Sequence, residues 1–323
     1  MNPPTARVPV TVVGGYLGAG KTTLVNHLLR NAGGRRLAIL VNDFGSLPID
    51  ADLIEAEEDD LISIAGGCVC CSFGSDLMGA LMKLAARTPA PDHLLIETSG
   101  VALPGSVARS VALLAAFSID GVLVLADAET VQARAADAYM GDTITRQLDD
   151  ADLVILNKTD LVEVGKLEAL RRWMHEAAPR ARLIESVRAA VPVEVMFGLD
   201  VPQTRTTGAF ASGAIRPPED ASARYESVSF AVAHPLDVER MGRELARPGC
   251  GLVRAKGVLR DVDGTLKVLH LVGARLEVTR EVTRLADTGA TGLACIGLRG
   301  QLDRARIERI VEESNTAIFR SNP

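Results

Sequence analysis

Residues Gly15-Tyr-Leu-Gly-Ala-Gly-Lys-Thr22 have the types and spacing to hold a chain of phosphates: a glycine, four residues, then Gly-Lys-Thr. Gly15, Gly18 and Gly20, with the small Ala19 between them, let the backbone bend until successive N–H groups point inward at phosphate oxygens. The Lys21 ammonium can reach the terminal phosphates and neutralise charge that develops there. The Thr22 hydroxyl is placed to ligate Mg²⁺, with Thr23 beside it. The alternative is an ordinary glycine-rich turn. The flanking pattern opposes it, because an apolar strand precedes the loop and a helix follows.

Two further polar clusters lie at the ends of apolar runs. Glu97-Thr-Ser-Gly100 follows His93-Leu-Leu-Ile96, where a carboxylate would hold Mg²⁺ directly or through water and Gly100 could approach a terminal phosphate. Asn157-Lys-Thr-Asp160 ends another apolar run. Asn157 and Lys158 would frame a guanine there. The Asp160 carboxylate can accept from both the ring N–H and the exocyclic amine, a donor pair that adenine lacks. A plain solvated turn is the competing interpretation of either cluster. Asp43, in Asn42-Asp-Phe-Gly45, sits where a mobile segment could bring a carboxylate to the metal.

The second concentration of chemistry is Gly66-Gly-Cys-Val-Cys-Cys71. Cys68, Cys70 and Cys71 can place two or three sulfurs on one soft cation such as Zn²⁺ or Cu(I), and three ligands leave a coordination position open for transfer. Buried inert thiols and a redox pair are the alternatives, although the spacing is not Cys-x-x-Cys. Cys250 and Cys295 read as structural, and each of the five histidines reads as structural rather than as a ligand.

The elements that position these residues alternate strand and helix. Strands are expected at Val8–Val13, Leu37–Val41, Leu61–Ile64, His93–Glu97, Ile119–Ala126, Leu153–Asn157 and Arg182–Glu185. Helices are expected at Thr22–Arg30, Ser75–Ala86, Gly105–Leu114, Thr143–Asp149 and Lys166–Ala177. This order predicts an α/β fold with a doubly wound, mostly parallel sheet. The stretch 201–223 is rich in Thr, Gly, Ala, Ser and Pro and reads as a linker between domains at 1–200 and 224–323. The later part reads as a smaller α+β domain. Its strands are expected at Tyr225–Val232, Gly251–Leu259, Leu266–Leu271, Ala274–Thr279 and Gly292–Ile296, and its helices at Pro235–Arg247 and Gln301–Ser314.

With 323 residues, 47% of them hydrophobic, the chain can bury more than one core. Its net charge of −6, with Lys and Arg scattered, argues against a nucleic-acid or membrane-surface partner. No apolar run is long enough to span a bilayer and no signal-peptide core precedes the first strand, so a cytoplasmic location is expected. The odd cysteine count fits thiols kept reduced.

Taken in order, Gly14-Gly-Tyr-Leu-Gly-Ala-Gly-Lys-Thr-Thr23, Asn42-Asp-Phe-Gly45, Gly66-Gly-Cys-Val-Cys-Cys71, Glu97-Thr-Ser-Gly100 and Asn157-Lys-Thr-Asp160 resemble the CobW-like P-loop GTPases, a group that includes zinc metallochaperones and nitrile hydratase activators. Tyr225-Glu-Ser-Val-Ser-Phe230, Arg254-Ala-Lys-Gly257 and Cys295-Ile-Gly-Leu-Arg-Gly300 are similar to the C-terminal domain of that family. The resemblance implies GTP hydrolysis coupled to delivery of a transition metal, Zn²⁺ or Co²⁺, to a client metalloprotein, and it is compatible with a homodimer. It also implies that Lys21 and Glu97 are catalytic. Gly15, Gly18, Ala19, Gly20, Lys21, Thr22, Thr23, Gly100, Asn157, Lys158 and Asp160 would hold nucleotide. Thr22, Asp43 and Glu97 would hold Mg²⁺, and Cys68, Cys70 and Cys71 the cargo metal. The chain departs from the family in having Asp43 where Glu is usual and in lacking a histidine-rich interdomain loop. A GTPase that senses metal and regulates a partner without transferring it is the main alternative function, and an ATP-dependent kinase is a second.

Overall fold

The computed structural model describes residues 7–42, 61–64, 76–198, 224–280 and 291–315. The expected linker lies outside the described residues. The chain separates into two compact units that divide between Val193 and Glu194.

The first unit is built on strands β1 (Val8–Gly15), β2 (Leu37–Asn42), β3 (Leu61–Ile64), β4 (His93–Glu97), β5 (Phe117–Asp127), β6 (Leu153–Asn157) and β7 (Arg182–Glu185). They form one sheet in the order β3-β2-β4-β1-β5-β6-β7, and every pairing is parallel. Helices α1 (Lys21–Arg30), α2 (Asp76–Ala85), α3 (Pro104–Ala112), α4 (Val131–Ala135), α5 (Gly141–Asp150) and α6 (Val164–Ala177) connect them. All five residues of β4 and of β6 are buried, as expected for parallel strands covered on both faces. Leu77, Leu81 and Leu84 of α2 recur at helical spacing and join Val10, Val12, Leu94 and Ile96 in one core cluster. A second cluster packs Ile144, Leu148, Leu170 and Met174 against Val124, Val154 and Leu156.

β1 lies between β4 and β5, so the direction of strand addition reverses at β1. The crevice at the C-terminal ends of those strands is where ligands bind in such sheets. At the opposite, N-terminal end, β5 bulges against β1: Val10 faces Ile119 but Thr11 faces Gly121. The extra residue, Asp120, lies 3.5 Å from the Thr11 hydroxyl, which is in turn 2.8 Å from His93 Nε2. All three side chains are buried, so His93 belongs to a structural polar network, as the sequence suggested.

The second unit opens with α7 (Val193–Phe197), whose last four residues it contains. It continues with β8 (Tyr225–Ala231), α8 (Val238–Ala246), β9 (Leu252–Arg260), β10 (Leu266–Val272), β11 (Arg275–Arg280), β12 (Gly292–Leu298) and α9 (Arg304–Glu313). The strands form an antiparallel sheet in the order β11-β10-β9-β12-β8. Met241, Leu245 and Ile307 pack against Leu269, Leu271 and Leu293. Both helices start about three residues later than their apolar spacing suggests, because a carboxylate decides the boundary. Asp237 accepts from the Arg240 amide and Asp303 from the Arg306 amide, each at 2.9 Å. Cys250 and Cys295 are fully buried, and desolvation, with Cys250 adding to it, pushes the Cys295 thiol up to about 12.

Candidate nucleotide site

The loop from Gly15 to Gly20 joins β1 to α1. Leu24, Val25 and Leu28 bury one stripe of α1 and fix the direction of its axis. The first helical residue is Lys21, and Gly20 caps the helix at φ 106°, a left-handed conformation that favours glycine. A Cβ at Gly20 would also come within 2.5 Å of Asn157 Nδ2. The loop therefore presses directly on the segment read as guanine-specific. The helix N-terminus places a partial positive charge and unpaired N–H groups at the loop. Lys21 is buried, and its Nζ donates to the Gly15 carbonyl at 2.9 Å and toward the Tyr16 carbonyl at 3.5 Å. These bonds hold the ammonium across the loop.

Glu97 stands at the tip of β4, in register with Val13. The next residue fastens that tip to β1, because the Thr98 amide and hydroxyl both donate to the Val13 carbonyl, at 2.9 and 3.2 Å. The Thr22 hydroxyl donates to Glu97 Oε1 at 3.2 Å, and Glu97 is 3% exposed. A hydroxyl and a carboxylate thus converge from two separate elements, and both are hard oxygen donors of the kind Mg²⁺ prefers.

Asn157, 2% exposed, links three segments. Its Nδ2 donates to the Ala19 carbonyl at 2.9 Å, and its Oδ1 accepts from the Ala189 amide at 2.8 Å. Lys158 takes a left-handed φ of 62°, and its Nζ pairs with Asp127 Oδ2 at 2.7 Å. Asp127 sits at the tip of β5, in register with Asn157. Asp160 lies in the 3-10 turn Thr159–Leu161 and is exposed. That turn is anchored from beneath, since the Thr159 amide and hydroxyl both donate to the Ser186 carbonyl at 3.3 Å.

The structure therefore brings Gly15, Ala19, Gly20, Lys21, Thr22, Glu97 and Asn157 into one contiguous set at the C-terminal ends of β1, β4 and β6. Gly18, Gly100 and Lys158 lie on the same loops, Thr23 in the first turn of α1 and Asp160 in the turn after Lys158. Asp43, Cys68, Cys70 and Cys71 lie outside the described residues. Among the described residues no group of three or more His, Cys, Asp or Glu side chains could hold a metal ion, and no helix is long and apolar enough to cross a membrane.

The sequence reading missed three features of this region. The turn Ser186–Ala189 meets Asn157 through a residue with no distinctive side chain. Arg188 and Ala189 both have φ of 52°, a backbone state that residue type does not announce. Asp127 carried a weak signal, a carboxylate closing an apolar strand as Glu97 does. Gln147 of α5 carried a clearer one, a polar residue at helical spacing between buried Ile144 and Leu148. His27 of α1 has a positional role, as expected. Its Nε2–H donates to the Val191 carbonyl at 3.0 Å, and burial outweighs that bond to hold its pKa below the ordinary imidazole value.

A parallel sheet whose central strand feeds a glycine-rich loop into a helix N-terminus is the architecture of a P-loop nucleotide-binding protein. Residues 9–185 match the family described as CobW/HypB/UreG, nucleotide-binding domain, and residues 225–321 match the cobalamin synthesis protein cobW C-terminal domain. The chain belongs to the CobW/HypB/UreG nucleotide-binding family. It is 35% identical over 230 residues to the zinc chaperone CobW of a Sinorhizobium species, covering 60% of this chain and 63% of that protein. It is 34% identical over 227 residues to the zinc chaperone CobW of Pseudomonas aeruginosa, covering 60% of each. The matches thus span about 60% of the length of these relatives. The crystal structure of Zn(II)-bound YjiA GTPase from Escherichia coli aligns with a TM-score of 0.41 at 20% identity, covering 96% of this chain and 100% of that one.

Proposed function

We propose that this protein binds and hydrolyses GTP and uses the nucleotide cycle to carry a transition metal on Cys68, Cys70 and Cys71 to a client metalloprotein. The observation that carries the nucleotide half is the double hydrogen bond of Asn157, which ties the phosphate loop at Ala19 to the Ala189 turn. In this reading the N–H groups of the loop and Lys21 take the phosphates, and the stem of Lys158 flanks the base. Its ion pair with Asp127 fixes that stem. Asp160, exposed on its turn, accepts from the two guanine donors. Thr22 and Glu97 would hold Mg²⁺, with Asp43 as a further ligand. When bound, Mg²⁺ supplies Lewis-acid stabilisation of charge on the phosphoryl oxygens. Lys21, held by the Gly15 carbonyl, is aimed at the same charge.

Thiolates of the Cys-x-Cys-Cys type suit zinc, and cobalt(II) binds similar donors. The names of the relatives, zinc chaperones, favour zinc. In this reading the metal travels as cargo and leaves when hydrolysis changes the shape of its site. Competition of GDP and ADP against a fluorescent guanine nucleotide on the full chain tests the base reading. A preference for GDP of at least about 100-fold is expected, because a pocket built for two donors leaves Asp160 unmatched by adenine. Equal competition would overturn it.

A further inference from the structure

The loop that follows Glu97 is clamped from one side by α5. Gln147 is 1% exposed, and its Nε2 donates to two carbonyls of that loop, Gly100 at 3.0 Å and Ala102 at 2.8 Å. One helical turn further, Asp150 Oδ2 accepts from the Gly105 amide at 3.0 Å. Residues 100–105 are thus gripped at both ends by two side chains spaced i, i+3, which face the same way on a helix. Gly100 in turn abuts the phosphate loop so closely that a Cβ there would lie 2.8 Å from the Leu17 backbone nitrogen. The preceding helix, α4, meets the other flank of the phosphate loop, where the Arg134 guanidinium stacks 4.5 Å from the centroid of the Tyr16 ring.

We infer that Gln147 is a positioning residue for the reaction: it sets the Gly100 backbone at the distance from the phosphate loop that the terminal phosphate requires. The inference rests on the proposed GTPase reading and adds to it a residue that acts through the backbone of the loop it holds. The physical reason is the donor count. A primary amide is the uncharged side chain that can donate two hydrogen bonds from one atom, so it can hold two carbonyls of a tight loop at once. A side chain that only filled the same volume would leave both carbonyls buried without this donor, and the loop would move to satisfy them. Gly100 would then drift from Leu17, and displacement of an approach that matters in the transition state lowers kcat more than ground-state affinity.

The test compares Gln147→Ala and Gln147→Leu with the wild-type full chain; leucine preserves most of the packing volume should alanine fail to fold. GDP affinity, affinity for a non-hydrolysable GTP analogue, and kcat and KM for GTP are measured. GDP affinity is expected to stay within about 2-fold. The analogue-to-GDP preference and kcat should each fall about 10-fold or more in both variants. A purely structural role would instead lower melting temperature and leave kcat and the analogue-to-GDP ratio at wild-type values, and that result overturns the inference. Failure of the wild-type chain to prefer guanine nucleotides at all would instead sink the GTPase reading.

Discussion

Truncating Asn157 to alanine removes one buried side chain and orphans two backbone groups. The Ala189 amide and the Ala19 carbonyl belong to residues that are 0% and 2% exposed, so water cannot readily replace the lost partners. An unsatisfied buried donor or acceptor costs about 1–3 kcal/mol, so the two together should cost about 2–6 kcal/mol. For a cooperative unit of this size each kcal/mol is worth about 2–4 °C, which places the expected drop in melting temperature at about 4–24 °C. The two freed segments are the phosphate loop and the turn on the guanine side. GDP affinity should therefore fall at least about 10-fold, or about 1.4 kcal/mol. Circular dichroism melts with and without GDP, together with titration of a fluorescent GDP, measure both effects. A variant that melts within about 1 °C of wild type would refute the claim that Asn157 joins these segments, because the loss would then lie well below the calculated range.

Lys21→Ala should lower GTP turnover at least about 100-fold in a phosphate-release assay, and retained turnover would remove the phosphate-loop reading. Burial holds the His27 pKa in the folded unit below its ordinary value, so the unfolded chain binds more protons near pH 6. Its contribution to stability is therefore present above the ordinary imidazole value of about 6.5 and is lost as pH falls toward the folded value. Urea melts from pH 7.5 to 5.5 should show a shallower decline in His27→Gln than in wild type. Cys295 should resist alkylation in the native protein at mildly alkaline pH, because its thiol is fully buried and pushed up to about 12. Labelling followed by mass mapping checks this, and rapid modification would contradict the burial.

Where local chemistry decides, the sequence was readable. β3, β4, β6 and β7 run between the expected residues, and β4 and β6 show why: a strand buried on both faces is continuously hydrophobic up to the polar residue that closes it. β5 exceeds its expected span, Ile119–Ala126, at both ends. Phe117 is buried at its start, and Asp127 pairs with Asn157 at its end. The five-residue helices α4 and α7 escaped notice because neither is long enough to establish a period. α8 begins at Val238, not Pro235: Asp237 caps it, and Leu236 before the cap forms isolated bridges to Asp261 and Asn315. In the site, side chains with a fixed spacing to the loop were legible. The contacts of Ala189 and Gln147 were not, because they arise only when segments 32 and 45 residues apart in the chain are folded together.

The affinity of the untagged protein for Zn²⁺, measured with GDP and with a non-hydrolysable GTP analogue bound, tests the proposed metal carriage most directly. Nucleotide-gated carriage predicts affinities that differ at least about 10-fold between the two states, since a ligand can shift a conformational equilibrium only by its differential binding. Identical affinities would contradict the coupling of metal to nucleotide.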